Sequence, residues 1–189
     1  MRKLTIAATT LAMAAAIAAV DILLAQSGSA QPATGLALTH NETTPSATTS
    51  PVDVPPGQTR VADMWVETGS QVYTCTTGSW TLLEPAAVLR SGNALLLHTR
   101  GPQWISPADG SAVQGAVVAS VPRTNAIPEL LLKSTANRGT GLLGSVDFVQ
   151  RLATQGGVAP SGSCTIGAQV AVPYSAEYRF FKPTPAPGY

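Results

Sequence analysis

The sequence predicts an all-β, single-domain fold: an antiparallel sandwich or barrel stapled by one disulfide and preceded by a flexible linker. Three observations predict it. Apolar residues recur with period two, turn residues recur about every ten positions, and the chain has only two cysteines. Strands with one buried face alternate apolar and polar side chains, and many short strands separated by regular turns are the mark of sandwiches and barrels.

Residues 1–30 read as a secretory signal. Arg2 and Lys3 precede an Ala-rich apolar run from Leu4 to Val20, and the small pair Gly28 and Ala30 marks a cleavage site ahead of Gln31. The run is about 17 residues long, at the lower edge of a bilayer span, and no Cys follows it to accept a lipid. The expected product is secreted or associated with the cell envelope, with no membrane span after cleavage.

Residues 31–59 form a Pro/Thr/Ser-rich linker. Its segment Thr43–Pro51 cannot bury enough apolar surface to offset the entropy of ordering it, and all ten aromatic residues lie at Trp65 or beyond. Asn41-Glu42-Thr43 is a sequon, meaningful in a host that glycosylates exported chains. The β domain is expected over residues 60–182, and a short Pro-rich tail occupies 183–189.

Within the domain, Val113, Gly115, Val117, Ala119 and Val121 would share one face of a strand. Val146 and Phe148 share a face, with Asp147 and Arg151 on the other, and Tyr178 and Phe180 alternate with Arg179. Turns are expected at Ser91-Gly92-Asn93, Gly101-Pro102, Asn137-Arg138-Gly139, Gly156-Gly157 and Ser161-Gly162. Gly78-Ser79 and Asp109-Gly110 look like two-residue hairpin turns. Pro128–Asn137 has two readings, a strand or a short helix capped by Gly139. Cys75 and Cys164, an isolated pair in an exported chain, are expected to form one structural disulfide.

Composition excludes several functions. Hydrophobic residues make up 44% of the chain and charged residues only 11%, against about a quarter charged in ordinary globular domains. The formal charge is +1, and loss of Arg2, Lys3 and Asp21 with the leader leaves nine basic and nine acidic residues. A neutral chain without a basic stripe is no nucleic-acid binder. No GxxxxGK[ST] run occurs, and Gly139-Thr140-Gly141 with Gly144 is a single loose glycine run in a β protein, so no nucleotide cofactor is expected. With His40 in the linker and His98 alone in the domain, no metal site is expected either.

The densest chemistry lies between Leu95 and Ser111. His98, Arg100 and Trp104 bring an imidazole, a guanidinium and an indole within seven residues, and Asp109 follows in a turn. These four are the candidate ligand-binding residues, suited to stacking on and hydrogen-bonding a sugar or another polar ligand. The alternative is that His98 caps a buried polar network while Trp104 fills the core. If the domain is catalytic, His98 is the base and Asp109 its partner.

At these residues the chain resembles the small exported bacterial and fungal proteins called domain of unknown function 3455. The resemblance is carried by Val72-Tyr73-Thr74-Cys75, Trp80, His98 with Gly101-Pro102 and Trp104, and Asp109-Gly110-Ser111. It continues through Ile127-Pro128, Gln150-Arg151, Gly156-Gly157, Cys164 and Tyr174-Ser175-Ala176 with Tyr178 and Phe180. Glu129 stands where that family commonly has Trp, so an aromatic binding face there does not carry over. The resemblance implies secretion and a shared β-rich domain, and no activity. The expected function is a non-catalytic exported module that binds a polar ligand such as an extracellular or cell-wall glycan. The alternatives are a small hydrolase using His98 with a carboxylate, and a structural envelope protein.

Overall fold

A computed structural model of the chain describes residues 49–186. The signal at 1–30, the linker as far as residue 48, the Asn41 sequon, His40 and the last three residues lie outside the described residues. Eight strands follow in order: β1 (Gln58–Thr76), β2 (Ser79–Ser91), β3 (Ala94–Thr99) and β4 (Gln103–Ile105), then β5 (Ala112–Arg123), β6 (Ala126–Arg138), β7 (Phe148–Gly156) and β8 (Gln169–Pro183). Each pairs antiparallel with the next, and β8 pairs with β1, so the sheet closes into an up-and-down barrel. Closure removes both sheet edges, and of sandwich and barrel it selects the barrel.

Connections alternate between two ends of the barrel. One end carries the turns at 77–78, 100–102 and 124–125 and the long 157–168 loop, and the other carries 92–93, 106–111 and 139–147. The β1–β2 turn is Thr77-Gly78, one residue earlier than Gly78-Ser79, because a type I′ turn needs positive φ at both central residues. Thr77 and Gly78 have φ of 51° and 82°, and Ser79 opens β2. Asp109-Gly110 is not a two-residue hairpin turn. It sits in a six-residue loop closed by Ser106 N–H to the Ser111 carbonyl (2.9 Å) and Gly110 N–H to the Ser106 carbonyl (2.8 Å).

Pro128–Asn137 is strand, not helix. Leu131 pairs with Ala119 on one side and Gln150 on the other. The Gln150 side chain is buried and donates to the Val52 carbonyl (2.6 Å), so residues just ahead of β1 cover the outside of β7. A strand covered on both faces can carry a continuous Leu run, which imitates a buried helix in sequence. The face expected for Val113–Val121 is interrupted by bulges after Gln114 and Val117, and Val117 is half exposed.

The core lies inside the ring of strands and includes Leu89, Leu96, Trp104, Val113, Leu132, Val149, Tyr178 and Phe180. Alternation along β8 is as the pattern predicts: Tyr174, Ala176, Tyr178 and Phe180 are buried. Along β7 Phe148 and Arg151 take opposite faces as expected, but the inside is the face carrying Arg151, and Val146, in the loop ahead of the strand, enters the core instead of sharing a face with Phe148. Val149 and Arg151 are buried with the core, while Phe148 lies under the Lys133 ammonium at 4.4 Å. The 139–147 loop closes one end of the barrel by placing Leu143 and Val146 in the core, and the Asn137 amide donates to both of their carbonyls (3.0 Å each). At the opposite end Cys75 and Cys164 form the disulfide, with 5.9 Å between their Cα atoms. It ties the end of β1 to the loop before β8, and Gly167 N–H donates to the Cys75 carbonyl (3.0 Å) beside it.

Candidate functional site

A cavity of about 190 Å³ opens inside the barrel, and each of the eight strands contributes to its wall. Gln71 comes from β1, His98 from β3, Trp104 from β4, Arg151 from β7 and Tyr178 from β8. Pro85, Leu130 and Leu132 supply apolar wall, and Leu82 and Val117, both more than half exposed, form the mouth. The mouth lies at the disulfide end, away from the loop that closes the barrel.

His98 and Trp104 face each other across the short β3–β4 hairpin, so their rings meet on the inside of the sheet. They stack with centroids 4.5 Å apart and planes 3° from parallel, and Tyr178 meets both edge-on at 5.2 and 5.7 Å. Both rings are buried. The His98 Nδ1–H donates to the Gln103 carbonyl (2.9 Å), which leaves Nε2 as the acceptor of a neutral imidazole. Burial pulls the His98 pKa from 6.5 down to about 3; the Gln103 carbonyl opposes that shift and the Arg151 charge adds to it. An imidazole held neutral over this range is a weak general base.

The four residues nominated from the sequence separate. His98 and Trp104 line the cavity together. Arg100 leaves the β3 strand toward solvent and pairs with Glu84 at 3.4 Å. Asp109 belongs to the opposite, closed end. Its carboxylate accepts from the Ser111 N–H (2.9 Å), the Ser111 hydroxyl (2.6 Å) and the Leu142 N–H (2.8 Å), which hold it well below the usual carboxylate range. It braces two loops and makes no contact with His98, whose Nδ1 is oriented by a backbone carbonyl instead. Glu129, where the resemblance expects an aromatic, accepts from the Ala153 N–H (2.8 Å) outside the cavity.

Three polar residues of the wall were not nominated. Gln71 and Arg151 come from strands remote in sequence, and Tyr178 is indistinguishable from a core aromatic in an alternating strand. The one local signal was Arg151 at a position of β7 that shares its face with Val149. Two buried donors on this wall have no partner in the protein: the Trp104 indole Nε1–H and the Gln71 amide Nε2. Both residues are only 1% exposed. Leaving such a group unpaired costs about 1–3 kcal/mol. Among the described residues, no three His, Cys, Asp or Glu side chains converge in a way that would hold a metal ion.

No curated protein and no solved structure matches the chain. Residues 90–182 match the model of a family described as "Protein of unknown function (DUF3455)". That stretch runs from the end of β2 through β8 and includes His98, Trp104, Arg151 and Tyr178, whereas Gln71, Leu82 and Pro85 precede it. Through this matched stretch, just under half of its length, the chain is similar to the DUF3455 family.

Proposed function

We propose that the domain is a non-catalytic binding module that takes a small molecule into the barrel interior. The observation that carries this reading is the pair of unpartnered buried donors, Trp104 Nε1 and Gln71 Nε2, on the wall of one cavity. A ligand with an acceptor group satisfies them, and its apolar part rests on Leu130, Leu132 and Pro85. Trp104 lies with its ring against His98, so it supports an enclosed ligand better than stacking on an extended glycan at the surface. The disulfide favours an oxidising, extracellular setting. Ion pairs on the outer strand faces, such as Arg90 with Glu67, favour a barrel bathed in water.

The test is a ligand-observed NMR screen of small fragments against the purified full chain and its Val117→Trp variant. Val117 is half exposed at the mouth, so an indole there blocks entry without disturbing the closed core. Fragments that bind the wild type are expected to be lost in the variant, with its melting unchanged. If no fragment binds, or if bound fragments ignore the plug, the cavity is a water-filled gap in a structural barrel.

A further inference from the structure

The cavity also carries a charge. Arg151 is 9% exposed, and its Nε and Nη2 donate to the Pro128 carbonyl at 3.1 and 3.0 Å. That carbonyl is neutral. The ion pairs among the described residues engage Arg60, Arg90, Arg100, Arg123, Lys133 and Arg179, and none engages Arg151. A buried cation without a counter-charge is among the most expensive arrangements a fold can hold. Its neighbours do not compensate it. Tyr73, Tyr174 and Tyr178 surround it as neutral phenols whose ionisation burial suppresses, His98 is uncharged, and the cavity wall includes no carboxylate.

Three residues that carry donors therefore line one cavity: Arg151 with its guanidinium, Trp104 with its indole N–H and Gln71 with its amide. The other wall groups are aliphatic or aromatic, with the His98 Nε2 acceptor and the Tyr178 hydroxyl, which meets Tyr174 at 3.3 Å, as their polar atoms. A group that only accepts, with several lone pairs and one negative charge, matches this set. Size narrows it further. A cavity of about 150 Å³ holds a benzene molecule, and this one has about 190 Å³.

Resting on the binding reading above, we infer that the ligand is a small monocarboxylate with a compact apolar body, its carboxylate held by Arg151, Trp104 and Gln71. The carboxylate supplies the counter-charge that the fold omits, and the apolar body faces Leu130, Leu132 and the mouth. A benzene ring bearing one carboxylate has the right dimensions, so benzoate is the probe and benzamide its neutral isostere.

Isothermal titration of the full chain at neutral pH compares the two. Benzoate is expected to bind about ten- to a hundredfold more tightly than benzamide, as a charge-assisted hydrogen bond warrants. Arg151→Met is expected to level the pair. Because loss of Arg151 also removes its bonds to Pro128, a second readout uses the wild type alone: the Trp104 indole N–H resonance should move on benzoate addition and respond less to benzamide. Equal affinities in the wild type overturn the anion assignment and leave the binding cavity standing. If neither probe binds and the fragment screen is also empty, both readings fall. If benzoate binds but Arg151→Met, still folded, retains the preference, the charge is read elsewhere and the inference is wrong.

Discussion

Acid should destabilise this domain through one identifiable residue. His98 is buried and neutral, with its pKa near 3 against an ordinary 6.5. Between those values the unfolded chain carries a proton on His98 that the folded chain refuses. The unfolded state then binds more protons, so stability rises with pH through this window and is flat above it. The slope is about 1.4 kcal/mol per pH unit, and moving from about pH 6.5 to about pH 4 costs roughly 3 kcal/mol from this group alone. Asp109 pushes the same way, because its depressed carboxyl must be protonated as acid unfolds the chain. The perturbation that separates them is His98→Asn. The new carboxamide can still donate to the Gln103 carbonyl but does not titrate. Loss of the stacked ring lowers stability at neutral pH by about 2–3 kcal/mol, while the Asp109 contribution stays the same in both proteins. Urea denaturation, extrapolated to water at a series of pH values with the disulfide intact, gives both curves. The gap between them should narrow by roughly 3 kcal/mol as pH falls from about 6.5 to about 4. Parallel curves would refute the burial argument, since they mean His98 is protonated as easily in the fold as outside it.

Reducing Cys75–Cys164, which are 89 residues apart, should cost about 4–5 kcal/mol by chain entropy, read as a lower urea midpoint in reductant; an unmoved midpoint denies the staple any stabilising role. Asp109→Ala frees the Leu142 N–H and both Ser111 donors, so exchange of the Leu142 amide should quicken while benzoate binding at the far end of the barrel stays constant. Gly144→Ala would drive a methyl into the Gly139 carbonyl, and overpacking of this kind costs about 1–3 kcal/mol in thermal melts. A Gly144→Ala protein as stable as the wild type shows that the 139–147 loop relaxes freely.

Much of the fold was legible because period two survives in single strands. Tyr178 and Phe180 point inward as their alternation implies, and an isolated cysteine pair has one partner to choose. Closure was not legible. It depends on β1 meeting β8, a pairing such as Gln58 with Pro183 that no local pattern encodes. The Thr124-Asn125 turn escaped notice because it contains no glycine; Asn125 itself takes the left-handed conformation, with φ of 57°. For the site, nearness in sequence decided the outcome. His98 and Trp104 are hairpin partners and were nominated together. Asp109, only five residues beyond Trp104, points to the other end because the chain has crossed the barrel between them. Arg151 falls on the face opposite Phe148, as alternation implies, but alternation alone does not say which face is inside, and Arg151 follows Val149 into the interior.

The seam between β1 and β8 also decides where the chain leaves the barrel. Gln58 pairs with Pro183, the Thr184 N–H donates to the Gly57 carbonyl (2.8 Å), and the Thr59 and Thr184 hydroxyls meet at 2.8 Å. Both ends of the strand ring therefore depart side by side from the plugged end. A tether or fusion partner joined at either side of the seam pulls on that end and leaves the mouth facing outward. Joining the two ends with a short linker and opening the 77–78 turn would yield a permuted barrel with the same interior.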